Sequence, residues 1–160
     1  METNTLTFNN LEKALTNFLN DFVSTYKSLL IRDNKKASGD LINSIKALNI
    51  EFNTTKYTGS ISLKNYWKYV EYGRKPGKFP PPKKILNWVK VKKILPKPIK
   101  GIKPTEKQLA FLISRKIARD GIKPGNQFSE ALNLVWTKYE KIISDAITKD
   151  LSETIDIIKL

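Results

Sequence analysis

Residues 48–63 read LNIEFNTTKYTGSISL, and their period decides the fold class. Leu48, Ile50 and Phe52 alternate with Asn49, Glu51 and Asn53, and after a Thr-Thr-Lys connection Tyr57, Gly59, Ile61 and Leu63 continue the pattern. A two-residue repeat puts successive side chains on opposite faces of an extended chain, so this stretch is expected to be a half-buried β-hairpin. On either side the period changes to that of a helix. Upstream, Leu11, Leu15, Phe18, Phe22, Tyr26 and Leu29 or Leu30 recur at steps of three and four, marking one amphipathic helix from about Asn10 to Arg32. Asn34 to Gly39 is a polar break, and Asp40 to Lys46 suits a short helix with Leu41, Ile42 and Ile45 inward.

Downstream of the hairpin, Tyr66, Trp67, Tyr69 and Tyr72 fit a helical turn or two, stopped by Gly73 in a left-handed helix-end conformation. Pro76 to Pro82 is extended, because proline fixes its own φ and restricts its predecessor. Pro82 also suits the first turn of a helix reaching about Lys93, with Ile85, Leu86, Trp88 and Val89 as its apolar face. The Pro80-Pro81-Pro82 run is therefore a stiff lead-in to that helix rather than a signalling ligand. Leu95 to Pro104 holds three prolines and a glycine and is expected to be an extended basic arm. Thr105 with Gln108 resembles a capping box, opening a helix to Asp120 that ends at Gly121, with Leu109, Leu112, Ile113 and Ile117 inward. Leu132, Val135, Trp136, Tyr139, Ile142, Ile143, Ala146 and Leu151 mark a long last helix. The expected fold is α+β: long N- and C-terminal helices packed with a small antiparallel sheet, one domain over residues 1–160, and a basic Pro-rich arm at about 95–104.

Composition narrows the chemistry. The 160 residues contain no Cys and no His, which removes thiolate nucleophiles, disulfides, zinc-thiolate sites and imidazole bases. No pair of carboxylates stands in a setting suited to dividing acid and base roles. No enzyme is expected, and no catalytic residue, cofactor, metal or small-molecule ligand. Met1 to Thr7 carries no basic residue and leads into no continuous apolar stretch, so neither a secretory signal nor a transit peptide is expected. No run approaches the ~20 apolar residues needed to cross a bilayer, and no membrane partner is expected. The protein is expected to work in a cytoplasm or inside an assembled particle.

The net charge of +14 is concentrated. Residues 1–63 hold 7 basic and 6 acidic side chains, and residues 108–160 hold 8 and 7. Residues 64–107 hold 14 basic side chains against Glu71 and Glu106, a net +12. Lys90, Lys92, Lys93, Lys97, Lys100 and Lys103 crowd its second half and form the candidate surface for DNA or an acidic protein neighbour. Among the 29 basic residues only Arg32, Arg74, Arg115 and Arg119 are arginine. Lysine supplies point charge without the forked geometry that reads guanine, so contact with nucleic acid should be to the backbone, indifferent to sequence and weakened by salt.

Within the basic stretch, Tyr69-Val70-Glu71-Tyr72-Gly73-Arg74 places one acid among aromatic and basic neighbours. Glu71 is expected to make a structural ion pair, with Arg115 or Arg74 as the partner. Trp67, Tyr69, Phe79 and Trp88 could stack on unpaired bases. As lysine-flanked aromatics they are expected to be core instead, Trp88 on the face of Ile85. Gly73, Pro82, Trp88 and Gly121 are expected to be architectural.

The order of these pieces carries a resemblance. Ser38-Gly39-Asp40-Leu41 with Ser44-Ile45, the hairpin, Tyr69-Val70-Glu71-Tyr72-Gly73, Pro76, Pro81-Pro82 with Ile85 and Trp88, Ile113-Ser114-Arg115-Lys116-Ile117, Gly121-Ile122-Lys123-Pro124, and Phe128 before Ala131-Leu132 together resemble the head-tail joining proteins of tailed bacteriophages. These are neck or tail-completion proteins, also described as minor tail components, and the resemblance covers about residues 38–132. It implies a structural virion protein made in the host cytoplasm and placed at the head-tail junction. It further implies a homo-oligomeric ring of six or twelve copies that contacts the portal or an adjacent neck or tail ring, with genome DNA passing through. The alternative is a sequence-independent DNA-binding protein outside any virion; no helix-turn-helix or zinc module supports it.

Overall fold

A computed structural model describes residues 8–53, 56–98, 101 and 103–158. The chain is α+β, with long helices at both ends of the described residues. It divides into two compact units of interleaved sequence, a division that hydrophobic periodicity did not indicate. The first comprises residues 1–33, 44–63 and 127–160, and the second residues 34–43 and 64–126.

The first unit is built on two antiparallel helices, α1 (Asn9–Arg32) and α6 (Gln127–Ile158). From α1 it buries Ala14, Leu19, Phe22, Tyr26, Leu29 and Leu30, and from α6 Ala131, Val135 and Tyr139. Phe128 closes edge-on over Phe22 and Tyr26, with ring centroids 4.9 and 5.4 Å away, and Phe18 meets Tyr139 at 5.7 Å. The stripe expected on the last helix is rotated. Leu132, Trp136, Ile142 and Leu151 are exposed, because the contact with α1 runs through residues 131, 135 and 139 at steps of four.

Polar contacts fix the register of this helix pair. Asp150, buried on α6, accepts hydrogen bonds from the amides of Asn10 (3.0 Å) and Leu11 (2.8 Å) and from Asn10 Nδ2 (2.6 Å). A helix start leaves free N–H groups, and here a carboxylate from a distant helix satisfies two of them where no local side chain caps α1. Midway, Asp21 accepts from Lys138 Nζ (2.6 Å) and Tyr139 Oη (2.9 Å). At the far end Arg32 bridges Asp33 and Glu130 at 2.7 and 2.8 Å. Gln127, buried at the start of α6, donates to Asp33 at 2.9 Å.

The hairpin belongs to the same unit. β1 (Lys46–Ala47) pairs with β4 (Ile61–Ser62), and β2 (Glu51–Asn53) with β3 (Lys56–Thr58), both antiparallel. Between the two ladders three residues, 48–50, oppose two, 59–60. The extra residue breaks the expected alternation. Leu48 is exposed rather than inward, while Ala47 and Ile50 are half-buried. Phe52 is also exposed, near the hairpin tip, and lies 4.6 Å from the Tyr57 ring. Of the expected Thr-Thr-Lys connection, Thr54 and Thr55 fall outside the described residues and Lys56 begins β3.

The second unit is helical: most of α2 (Asp40–Ser44), then α3 (Trp67–Tyr72), α4 (Pro82–Val91) and α5 (Glu106–Asp120). Pro82 occupies the first turn of α4 as expected. The Thr105–Gln108 capping box is present: the Thr105 amide donates to Gln108 Oε1 at 2.8 Å and the Gln108 amide to Thr105 Oγ1 at 3.3 Å. On α5 the buried residues are Ala110 and Ser114, one turn apart, while Leu109, Leu112, Ile113 and Ile117 are half-buried beside them. Small side chains at that spacing let a neighbouring helix come close, so the centre of the contact is shifted from the face that hydrophobicity marks.

Gly73 and Gly121 end α3 and α5, but in a different conformation from the one expected. Their φ/ψ values are 69°/−155° and 74°/−160°, outside the left-handed helical region and in one that only glycine occupies readily. The next residues form a reciprocal bridge: the Arg74 amide donates to the Ile122 carbonyl (2.9 Å) and the Ile122 amide to the Arg74 carbonyl (2.7 Å). A methyl group on Gly73 would overlap the Ile122 carbonyl oxygen, and one on Gly121 the Arg74 carbonyl oxygen.

Two outcomes are expected. Gly121→Asn should destabilise the protein by at least ~2 kcal/mol, as much as Gly121→Ala, because asparagine relieves a left-handed helix end but not this conformation; thermal melts of the two variants check it. Asp150→Ala should cost about 1–2 kcal/mol at neutral pH. Burial pushes the Asp150 carboxyl up, and the donors from Leu11 and Asn10 outweigh it, holding the carboxyl below its ordinary value. A depressed folded-state pKa gives stability above the unfolded value that is lost as pH falls through the folded one. The gap between parent and variant, followed by denaturant unfolding, should therefore be full at neutral pH and shrink at pH values below about 4.

Candidate nucleic-acid interface

The division into units is also a division of charge. Residues 34–43 and 64–126 carry 20 basic side chains against Asp40, Glu71, Glu106 and Asp120, a net +16. The first unit carries 9 basic and 11 acidic side chains, a net −2. The second unit's acids offer little compensation. Glu71 is 1% exposed, and Asp120 is taken by Arg119 at 2.6 Å, which holds its carboxyl below the usual range. A unit so weakly self-neutralised projects a positive field over its own surface.

The six lysines expected on an arm have different placements. Lys90 is exposed on α4, and Lys93, Lys97 and Lys103 are exposed beyond it. Lys92 is not an arm residue: it is half-buried, and its Nζ donates to the Asn34 carbonyl (2.7 Å) and side chain (2.9 Å). Lys93 has φ +52° just past the end of α4, where the Lys93 amide returns to the Lys90 carbonyl and the Ile94 amide to Val89. This is a helix-ending motif usually built on glycine. Residues 94–98 form neither helix nor strand, and Leu95 is largely exposed. Lys100 lies outside the described residues, as do the neighbouring residues 99 and 102 of the expected arm.

Glu71 is buried as expected, and Arg115 stands exposed on α5. The carbonyl of Glu71 accepts from the amides of Gly125 (2.9 Å) and Asn126 (3.2 Å), tying the end of α3 to the segment after α5. Trp88 is 40% exposed and does not belong to the core; Val89, at 1%, takes that place on α4. A helix rotates 100° per residue, so one position decides which side chain points inward. Phe79 and Tyr69 are also exposed, Phe79 with its ring 5.6 Å from Phe111.

Exposed aromatics concentrate on α3 and the residue just before it. Tyr66 is 43%, Tyr69 63% and Tyr72 64% exposed, with Lys64 and Lys68 exposed beside them. Burial and the charge of Asp40 raise the Tyr66 hydroxyl's pKa, partly offset by the Leu41 amide, which donates to its oxygen. That contact anchors the ring to the start of α2. Lys64, Asn65, Tyr66, Lys68 and Tyr69 line an open depression of about 620 Å³. The sequence shows the aromatics and lysines of this site. It does not show their exposure, which depends on which face of a six-residue helix is covered.

Among the described residues no cluster of three acidic side chains could hold a metal ion, and no helix is long and apolar enough to cross a membrane. No protein-family model, curated protein or solved structure gives a significant match to the chain.

Replacing Lys90, Lys93, Lys97 and Lys103 together with glutamine should leave the melting temperature nearly unchanged. It should flatten the dependence of DNA affinity on salt by roughly one logarithmic unit per lysine that meets phosphate. Titrations at several salt concentrations check this, and an unchanged slope would remove these side chains from the interface.

Proposed function

We propose that the chain is a structural subunit of a tailed-bacteriophage virion, forming a ring of six or twelve copies at the head-tail junction through which genome DNA passes. The observation that carries this reading is the segregation of charge: +16 on one unit, −2 on the other. A near-neutral unit suits contact between copies, since like-charged surfaces repel. A lysine-rich unit suits a sliding polyanion. Its 20 basic residues include three arginines, Arg74, Arg115 and Arg119, so contact with phosphate is mostly by point charge and carries little base preference. The resemblance over residues 38–132 supplies the junction and the ring.

The same cationic surface would serve a DNA-binding protein outside any particle. The exposed face of α6 favours the ring instead. Leu132, Trp136, Ile147, Leu151 and Ile155 are all exposed on one helix of the near-neutral unit, which is unfavourable in a monomer and natural where neighbouring copies cover them.

Electron microscopy of purified particles tests the proposal. Six or twelve copies on the particle axis at the junction are expected. Absence from particles, or a single copy off the axis, would overturn it.

A further inference from the structure

We infer that the depression on α3 is a stacking site for unpaired bases of single-stranded DNA. The inference rests on the function proposed above only in taking DNA as the polymer. Tyr66 and Tyr69 issue from one turn of helix, the Tyr69 amide donating to the Tyr66 carbonyl at 3.0 Å. Tyr66 is anchored through its hydroxyl to the Leu41 amide and keeps its ring partly open, and Tyr69 is 63% exposed. An anchored ring loses little freedom when a flat ligand settles on it.

The rest of the lining suits a nucleotide. Lys68, exposed between the two tyrosines, supplies charge for a flanking phosphate, and the amide of Asn65 offers both a donor and an acceptor to a base edge. The depression is open, so a base can settle on it from the surface. Base-paired DNA keeps its base faces stacked inside the helix, where these rings cannot reach. Lysine meets the phosphates of duplex and single strand alike, whereas the tyrosines distinguish them. Stacking on aromatic rings tolerates any base, so the site discriminates by strandedness and not by sequence. The unit's net +16 opposes a second copy of the same surface as the occupant and favours a polyanion.

Fluorescence anisotropy with the full chain tests this, using a labelled oligothymidylate, an abasic deoxyribose-phosphate chain of the same length, and a duplex. The parent should bind the oligothymidylate about tenfold more tightly than the abasic chain. Tyr69→Ala, which leaves the Tyr66 ring as the remaining platform, should cut that preference to about threefold or less and Tyr69→Phe should retain it, with duplex affinity unchanged in both; Tyr69 is exposed enough that neither change threatens folding. Equal binding of base-bearing and abasic chains by the parent, the behaviour of an acidic-peptide site, would overturn the inference, as would a preference that Tyr69→Ala leaves undiminished. Such a failure with duplex binding intact leaves the ring standing. A stacking preference in a protein absent from particles removes the ring and leaves the site.

Discussion

The reciprocal hydrogen bonds between Arg74 and Ile122, each flanked by a glycine that admits the other strand's carbonyl, hold the second unit together. The bridge joins the ends of two helices that lie nearly fifty positions apart in sequence. Around it the Gly77 amide reaches the Ala118 carbonyl, and the Gly125 amide reaches the carbonyls of Val70 and Glu71. The last carbonyls of α3 are thus satisfied by amides from beyond α5. A helix of six residues has little stability of its own, so it is this lacing that keeps α3 in place and its tyrosines on the surface.

The first unit solves a similar problem with charge. Two long helices with a continuous apolar stripe could slide by a turn, and the contacts of Asp150, Asp21 and Arg32 along their length select one register. The exposed pairs contribute little stability individually. Buried Asp150 contributes more, because it satisfies backbone groups that would otherwise face a closed helix end. Asp21, Asp33, Glu130 and Asp150 of the first unit are engaged within it, whereas the second unit carries 20 basic side chains against four acids. That asymmetry of charge supports the proposed reading of one unit for copies and the other for DNA.

Much of this architecture was legible in the sequence. The helix starts at Pro82 and Thr105 followed from local chemistry, since proline in a first turn and a capping box act within four residues. The ends of α1 and the presence of the hairpin followed from periodicity. What was hidden depended on long-range contacts. The bulge at residues 48–50 reverses a face without altering composition. The burial of Val89 rather than Trp88 depends on the partner of α4, and the capture of Lys92 by Asn34 on a chain segment 58 positions away. The conformation of Gly73 and Gly121 is set by the bridge, which neither glycine's neighbours encode. At the candidate site the residue types were visible, but the exposure of Tyr66 just before α3 and of Tyr69 and Tyr72 on it was not.

Hydrogen-deuterium exchange of the intact chain with and without duplex DNA tests the assignment of roles most directly. DNA is expected to slow exchange within residues 64–126 and to leave α1 and α6 unchanged. Protection centred on α1 and α6, or no protection anywhere at low salt, would contradict it.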